Sequence, residues 1–267
     1  MKKFFAFLAA AAALVSCSDT KSGSDMLVLY YSQSGTTKAV AEKIQKETGA
    51  DVEQIEAVQA YDGSFNETVA RAQQENAAGK LPEIKPVKAD LAKYKVVFLG
   101  YPVWSGTVAL PVATFLKENA DALKGVKVVT FCTFGSGGLN TSTDDVRDAL
   151  PESDVVEGYG VRTARIDAID SEVNEFLIEN GFKEGTLEPK PAFSELTDVT
   201  PVTTEIFNKA CSSYQFPLGT PVREQHRAVK NGTEYRYQVS SGMGGAGSVI
   251  YVLDIKGKEP VFTQVVR

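Results

Sequence analysis

The sequence has very few of the residues on which hydrolytic enzymes and metal centres depend. Its 267 residues include a single histidine, His226, three cysteines and one tryptophan. A Ser-His-Asp or Cys-His hydrolase would have to use His226, and no group of cysteines and histidines has the spacing of metal ligands. The composition therefore argues against hydrolytic catalysis and indicates no metal site.

Basic residues are fewer than acidic ones. The chain has 28 Lys and Arg against 34 Asp and Glu, a net charge of −6, and it contains no basic run. This acidic balance argues against nucleic acid as a partner. With 43% hydrophobic and 23% charged residues the chain has globular proportions, and its length suits one large domain or two smaller ones.

No apolar run is long enough to span a membrane. The longest, residues 4–15, follows two lysines, as in a signal peptide. It ends in the letters LVSC, which resemble the lipobox of bacterial lipoproteins, in which the cysteine is lipidated and becomes the mature N-terminus. We therefore expect a lipoprotein signal at 1–17, lipidation at Cys17, a tether at 18–25 and membrane anchoring in the cell envelope. Ordinary cleavage beside an incidental cysteine is the alternative.

Two cysteines remain for the folded part of the chain. Cysteines of an exported protein can pair. However, Cys132 ends a strand-like run and Cys211 lies in a helical pattern of what is predicted to be another domain. This placement favours two buried free thiols.

A neutral loop, SQSGTT at residues 32–37, lies between an apolar run and an amphipathic one. Residues 26–31 are almost wholly apolar, as in a strand buried on both faces, and an apolar stripe at helical spacing begins at Val40. The loop therefore ends where a helix begins, and free N–H groups and the helix dipole attract anions there. Its four hydroxyls and Gly35 favour phosphate. An ordinary N-cap, at which Ser and Thr are also favoured, is the alternative.

Strand-like and helix-like runs alternate from residue 26 to about 183. This alternation predicts an α/β fold, with a five-stranded parallel sheet and helices on both of its faces. Ligands of such folds bind beyond the carboxyl ends of the strands. The predicted strands are 26–31, 52–57, 95–101, 126–132 and 155–161, and the later predicted helices are about 66–79, 108–123, 141–150 and 170–180.

Two further loops should share that edge with the loop at 32–37. YPVWSGT follows the third predicted strand and contains Trp104, the only tryptophan; TFGSGG follows the fourth. Together they predict a phosphorylated planar ligand, with its ring against Trp104 and its other edge hydrogen-bonded by backbone groups near 133–138. Taken separately, Trp104 can be a surface cap on the core and the glycines a simple turn.

Three segments resemble the flavin-binding loops of flavodoxins: YYSQSGTTKAVAEKI, VVFLGYPVWSGTVALPVATFL and VTFCTFGSGGLNTS. The resemblance is to a bacterial flavodoxin-like family with Gly-Tyr-Pro-x-Trp after the third strand, and it covers about 26–183. It implies bound FMN. The residues implied to hold phosphate are Ser32, Ser34, Gly35, Thr36 and Thr37, and those implied at the isoalloxazine are Pro102, Val103, Trp104, Thr133, Phe134, Gly135, Ser136 and Gly137.

One position departs from the family pattern. Members often have Thr-His in the fourth loop, where this sequence has Thr133-Phe134. If that histidine handles protons or tunes the flavin, this chain lacks the function, which weakens a specific reductase assignment.

The composition changes after residue 183. Residues 184–200 contain two prolines, with a third directly after them at position 201, show no clear periodicity and are predicted to be a linker. Residues 201–267 predict a small α+β domain, with one helix on an antiparallel meander whose first hairpin turns at Asn231-Gly232. REQHRAVKNGTEYRYQV resembles, over a short stretch, the central hairpin of cystatin-like domains. We expect this domain to be a separate unit that binds no flavin.

Two functions remain open at the level of the sequence. The first is a membrane-anchored FMN-binding flavoprotein that transfers electrons, or reduces a small acceptor such as a quinone, with an unknown redox partner. The second is a non-enzymatic binding lipoprotein whose C-terminal domain recognises a partner. The complete phosphate loop and Trp104 favour the first.

Overall fold

The structure, a computed structural model, describes residues 24–240 and 247–266. The predicted signal at 1–17 with Cys17, most of the tether at 18–25 and most of the predicted turn at 242–247 lie outside the described residues. Within the described ranges, no helix has both the length and the apolar character that a membrane span requires.

The first sheet is the one that the alternating pattern predicts. Its strands are β1 (Met26–Tyr30), β2 (Asp51–Gln54), β3 (Val96–Trp104), β4 (Thr107–Val108), β5 (Lys127–Phe134) and β6 (Asp154–Arg162). Five of them pair in parallel in the order β2-β1-β3-β5-β6, and the two-residue β4 folds back antiparallel on the end of β3. The predicted five-stranded parallel sheet is therefore confirmed.

Helices cover both faces of this sheet. The helices of this part of the chain are α1 (Thr36–Thr48), α2 (Phe65–Ala77), α3 (Leu110–Asn119), α4 (Leu139–Ala149) and α5 (Ile169–Glu179), and all but α2 contribute to its two cores. Successive residues of β1 point to opposite faces, so Leu27 lies in a core with α3 and α4, and Val28 lies in a core with α1 and α5. Both residues are fully buried, which explains the continuous apolar run.

The C-terminal part forms a separate antiparallel sheet. Its elements are β7 (Thr197–Asp198), α6 (Pro201–Cys211), β8 (Pro221–Val229), β9 (Gly232–Val239), β10 (Val249–Ile255) and β11 (Val261–Val266). The strands lie in the order β11-β10-β9-β8-β7, and α6 covers one face through a core that includes Phe207, Tyr237 and Phe262. The predicted helix and meander are confirmed. The likeness to cystatins stays a prediction.

The second half of the predicted linker packs on the C-terminal sheet. β7 lies within it and pairs with β8. Ser194 N–H donates to the carbonyl of His226 at 2.8 Å, and the ring of Phe193 lies 4.4 Å from the guanidinium of Arg227 and 3.7 Å from that of Arg236. This stretch therefore covers the sheet face that α6 leaves open.

Candidate functional site

The first loop, residues 32–37, leads into helix α1, whose N-cap residue is a glycine and supplies no capping side chain. Gly35 is the N-cap of α1 and has a φ of +90°, in the left-handed region that favours glycine. Ser32 Oγ accepts hydrogen bonds from the N–H groups of Gly35 and Lys38, both at 3.2 Å, and so shapes the loop from inside. The N–H groups of Thr36 and Thr37, at the positive end of the helix, have no acceptor within the helix.

The hydroxyls of this loop divide into two sets. Ser34 is exposed and its Oγ lies 3.2 Å from Thr36 Oγ1, at the surface. Thr37 is buried instead, and its Oγ1 lies 2.8 Å from Thr133 Oγ1, which is also buried. Thr37 and Thr133 therefore join the first loop to the end of β5 through their side chains.

The segment after the predicted third strand is a hairpin. Pro102, Val103 and Trp104 extend β3, and the chain turns back into β4 through Ser105 and Gly106, with φ values of +53° and +89°. Two successive positive φ angles are typical of the tight turns that join antiparallel strands. Thr141 Oγ1, on α4, donates to the carbonyl of Gly106 at 2.9 Å and fixes the tip.

Trp104 belongs to an aromatic cluster, which we define as Tyr31, Tyr61 and Trp104. The indole meets the two phenol rings edge-on, with centroid distances of 5.9 Å to Tyr31 and 5.0 Å to Tyr61. The guanidinium of Arg71 lies 3.7 Å from the centroid of Tyr61, whose hydroxyl donates to Glu75. Burial raises the pKa of Tyr31 to about 12, and burial together with Glu75 raises the pKa of Tyr61, so both phenols stay protonated at neutral pH.

A cavity of 360 Å³ lies between two loops: the hairpin that follows β3, which we call the third loop, and residues 135–138 after β5, which we call the fourth loop. This volume is within the range of small-molecule sites, and none of its lining residues is charged. Five predicted residues line it: Val103, Phe134, Gly135, Ser136 and Gly137. The residues that sequence reasoning missed are Ser105, Gly106, Gly138, Asn140, Thr141, Tyr214 and Val265.

The fourth loop packs too closely for side chains at two of its glycines. A Cβ at Gly138 would lie 2.8 Å from Val103 Cγ1, and one at Gly137 would lie 2.1 Å from the carbonyl oxygen of Val265. Hence these glycines are required by contacts with the hairpin and with the C-terminal sheet. The first contact could be anticipated from the Gly-rich sequence, whereas nothing local in the sequence signals the second.

The predicted site residues thus converge on one edge of the sheet but do not form one surface. The hydroxyl pair of Thr37 and Thr133 brings the first and fourth loops together, and the cavity joins the third and fourth. Trp104 and Val103 are neighbours in a strand and point to opposite sides, so Trp104 lies in the aromatic cluster and Val103 lines the cavity.

The two cysteines of the folded part do not pair with each other. Cys132 and Cys211 are both free thiols; Cys132 is buried and Cys211 only partly so. Burial raises the pKa of both, to about 12 for Cys211, which leaves neither as a thiolate at neutral pH. Among the described residues, no group of three or more histidines, cysteines and acids could hold a metal ion.

A family model described as Flavodoxin matches residues 25–175. The chain belongs to the flavodoxin family. The flavodoxin match ends before the C-terminal sheet, which it does not include. No curated protein matches the chain at a significant level.

Three solved structures similar to this flavodoxin are matched over most of their own length and over little more than half of this chain. A Bacteroides eggerthii protein, proposed to be a flavoprotein, is 30% identical over 57% of this chain and 96% of its own, with a TM-score of 0.48. A Lactobacillus acidophilus flavoprotein in complex with FMN is 28% identical over 57% of this chain and 97% of its own, with a TM-score of 0.47. The two-electron reduced flavodoxin of Megasphaera elsdenii is 24% identical over 52% and 85%, with a TM-score of 0.34.

Proposed function

We propose that this flavodoxin binds FMN and either transfers electrons or reduces a small acceptor such as a quinone. The redox partner with which it exchanges electrons is yet to be identified. The observation that carries the proposal is that the N-terminus of α1, joined to the end of β5 through Thr37 and Thr133, and an uncharged cavity both lie at the carboxyl edge of a parallel sheet. Family membership supports the same conclusion.

The first loop suits the phosphate of FMN. The phosphate would be held by the exposed hydroxyls of Ser34 and Thr36 and by backbone N–H groups from Gly35 to Thr37, while Ser32 keeps the loop in shape. The helix dipole supplies the positive potential, so no basic side chain is needed.

The cavity suits an uncharged planar ring. Val103 and Phe134 supply apolar contact, and residues 135–138 supply backbone groups for the polar edge of a ring. From the family resemblance we also expect the ring to reach Trp104, whose indole the two tyrosines of the aromatic cluster hold in place. Bound FMN would supply reversible one-electron and two-electron redox chemistry.

The lining of the cavity favours electron transfer over proton handling. Phe134 occupies the position where family members often have histidine, and the described lining contains neither an imidazole nor a carboxyl group. The chain's own groups at this site are hydroxyls and backbone amides, which bind and orient a ligand but do not change protonation state near pH 7.

Titration of the purified protein with FMN and with riboflavin tests the proposal. We expect FMN to bind with a Kd in the low micromolar range or below, and riboflavin, which lacks the phosphate, to bind at least about 100-fold more weakly. Emission from Trp104, the only tryptophan, should be quenched as FMN binds. Equal affinity for the two flavins would contradict the phosphate site, and unquenched emission at saturation would contradict the ring position.

A charge variant makes the same test specific to the loop. Ser34→Asp places a negative charge where the phosphate is expected and should weaken FMN at least about tenfold, with riboflavin affinity unchanged. Ser171→Asp is the matched control, because Ser171 is also exposed and lies in the first turn of α5. It should leave both affinities unchanged.

We further propose that lipid on Cys17 anchors the protein in the cell envelope membrane. The support is the LVSC sequence after the apolar run at 4–15, together with the polar residues that follow. In fractionated cells the Cys17→Ala variant should move from the membrane to the soluble fraction. A variant retained in the membrane would count against lipid anchoring.

A further inference from the structure

The C-terminal sheet contacts the fourth loop directly. The N–H of Val265, in β11, donates to the carbonyl of Ser136 at 2.8 Å, and Gly137 pairs with Val265 as a parallel bridge. The two backbone segments approach so closely that a Cβ at Gly137 would lie 2.1 Å from the Val265 carbonyl oxygen. The fourth loop is therefore continued, through backbone pairing, by the last strand of the other sheet.

A buried arginine fastens this contact. Arg162, at the end of β6, donates from Nε to the carbonyl of Gly135 and from Nη1 to the carbonyl of Phe262, both at 2.8 Å. Its guanidinium lies 4.2 Å from the ring centroid of Phe262 and 5.3 Å from that of Tyr214. One side chain thus bonds both to the fourth loop and to the C-terminal sheet.

The charge of Arg162 is unusual for its position. Arg162 is only 9% exposed, and the ion pairs of the described residues give it no carboxylate partner. Carbonyl oxygens and ring faces balance the charge instead, and burial lowers its pKa. A buried cation therefore lies one hydrogen bond behind Gly135, which lines the cavity.

Tyr214 and Val265 line the cavity together with Val103 and Phe134. We propose that the C-terminal domain is part of the flavin site: Tyr214 and β11 form one wall of the cavity, and Arg162 holds that wall in position. This inference rests on the proposed binding of FMN. It replaces the expectation that the second domain takes no part in the site.

Two consequences follow for the bound flavin. A ring in the cavity contacts both domains, so flavin binding and domain docking stabilise each other through thermodynamic linkage. The cation behind Gly135 also favours the electron-rich reduced flavin over the oxidised form and raises the reduction potential. Arg162 acts through Gly135 and Phe262, so it is a positioning residue and not a catalytic one.

Variants of the full chain test the wall. Tyr214→Ala should weaken FMN about tenfold, whereas Tyr214→Phe, which keeps the ring, should bind within about twofold of the unchanged protein. Phe216→Ala is the matched control: Phe216 contacts Tyr214 at 5.9 Å, is 45% exposed and does not line the cavity. It should bind FMN normally. Circular dichroism establishes that each variant is folded.

Variants of Arg162 test whether this side chain holds the wall in position, with the flavin midpoint potential as a second readout. Arg162→Met should weaken FMN binding about tenfold and lower the flavin midpoint potential. Arg162→Lys keeps the charge and loses the two-pronged contact, so it should weaken binding but retain most of the potential. Arg227→Met, at a guanidinium that packs on Phe193 far along the C-terminal sheet, should change neither.

The outcomes separate this inference from the proposed function. If the unchanged protein fails to bind FMN, the proposed function is wrong and the inference falls with it. If the unchanged protein binds FMN and folded Tyr214→Ala and Arg162→Met bind it equally well, with unchanged potential, only the inference is overturned. Should Arg162→Met fail to fold, Tyr214→Ala against Phe216→Ala decides the result.

Discussion

The two sheets of this molecule bury their side chains in different ways. The parallel sheet is covered on both faces, by α1 and α5 on one side and by α3 and α4 on the other, and it has two apolar cores. The antiparallel sheet has one apolar core, beneath α6, and on its other face Arg227 and Arg236 pack around Phe193. The first domain therefore depends on buried apolar volume, and the second depends more on polar and edge contacts.

The two domains also contribute to the candidate flavin site in different ways. The parallel sheet places three loops at one edge through topology alone. The C-terminal domain reaches that edge through the strand β11 and through Tyr214, which follows α6, and hydrogen bonds to backbone carbonyls hold β11 there. The variants below test the comparison, from the largest expected effect to the smallest.

Loss of an aromatic ring from the first domain should have the largest effect. Phe131 is fully buried in β5, and its ring lies over Gly100 in the neighbouring strand. Phe131→Ala should lower the free energy of unfolding by about 3–5 kcal/mol, because the close-packed sheet cannot collapse into the space. Urea unfolding followed by Trp104 fluorescence measures this, and Phe65→Ala, at an 80% exposed residue, should change it by less than about 0.5 kcal/mol.

The corresponding change in the second domain should lower the free energy of unfolding by somewhat less, and a different spectroscopic probe should detect it. Phe207 is 3% exposed and meets Tyr237 at 5.1 Å. Phe207→Ala should cost about 3 kcal/mol, at the lower end of the range because a helix on one open sheet can relax. Far-UV circular dichroism should show a larger shift than Trp104 fluorescence, which reports only the first domain. Equal shifts would mean that the two domains unfold as one unit.

A single hydroxyl in the second core should have a smaller effect. Tyr237 is fully buried, and its hydroxyl donates to the carbonyl of Thr203 at 2.8 Å. Tyr237→Phe keeps the ring and removes this bond between β9 and α6, which should cost about 1 kcal/mol. Thermal unfolding detects the change. An unchanged midpoint would show that the bond contributes nothing net.

An ionic network in the first domain should have the smallest effect, and one that depends on pH. Glu47 accepts from Lys183 and, at 2.8 Å, from Lys43, and these bonds lower its pKa from 4.5 to about 2. Since the folded-state pKa is the lower one, the carboxylate stabilises the fold above pH 4.5, and this contribution is lost as pH falls toward 2. Glu47→Gln should therefore cost about 1 kcal/mol or less at pH 7.

Urea unfolding at a series of pH values checks that prediction. The difference between Glu47→Gln and the unchanged protein should be constant near neutral pH and shrink progressively below pH 4.5. A difference that persists at pH 2 would show that the glutamine acts by altered packing and not by loss of the charge.

Much of the first domain could be predicted from the sequence because its signals are local. The apolar run at 26–31 and the stripe from Val40 identify a buried strand and a covering helix, and five such units leave little choice of architecture. The phosphate loop follows from the same reasoning, since it is the turn between two adjacent elements. The side-chain pair of Thr37 and Thr133 could not be foreseen, because it joins residues that are distant in sequence.

The rest of the site depends on contacts that no local pattern encodes. Trp104 could be recognised as part of an aromatic loop, but its neighbour Tyr61 comes from a connection that contains no regular strand or helix. Tyr214 and Val265 had even less signal, because a tyrosine after a helix and a valine in a strand are ordinary core residues. The predicted linker likewise concealed Phe193, whose ring packs between two arginines only when the sheet has formed.

The pairing of Ser136 with Val265 also affects the order of events during protein synthesis. The two residues are 265 − 136 = 129 positions apart, and at about 5–20 residues per second a ribosome needs roughly 6–26 s to make the intervening chain. The parallel sheet is complete by β6 and can fold within that interval. A newly made chain therefore presents its fourth loop to solvent and to cofactor before the strand that will pair with it exists.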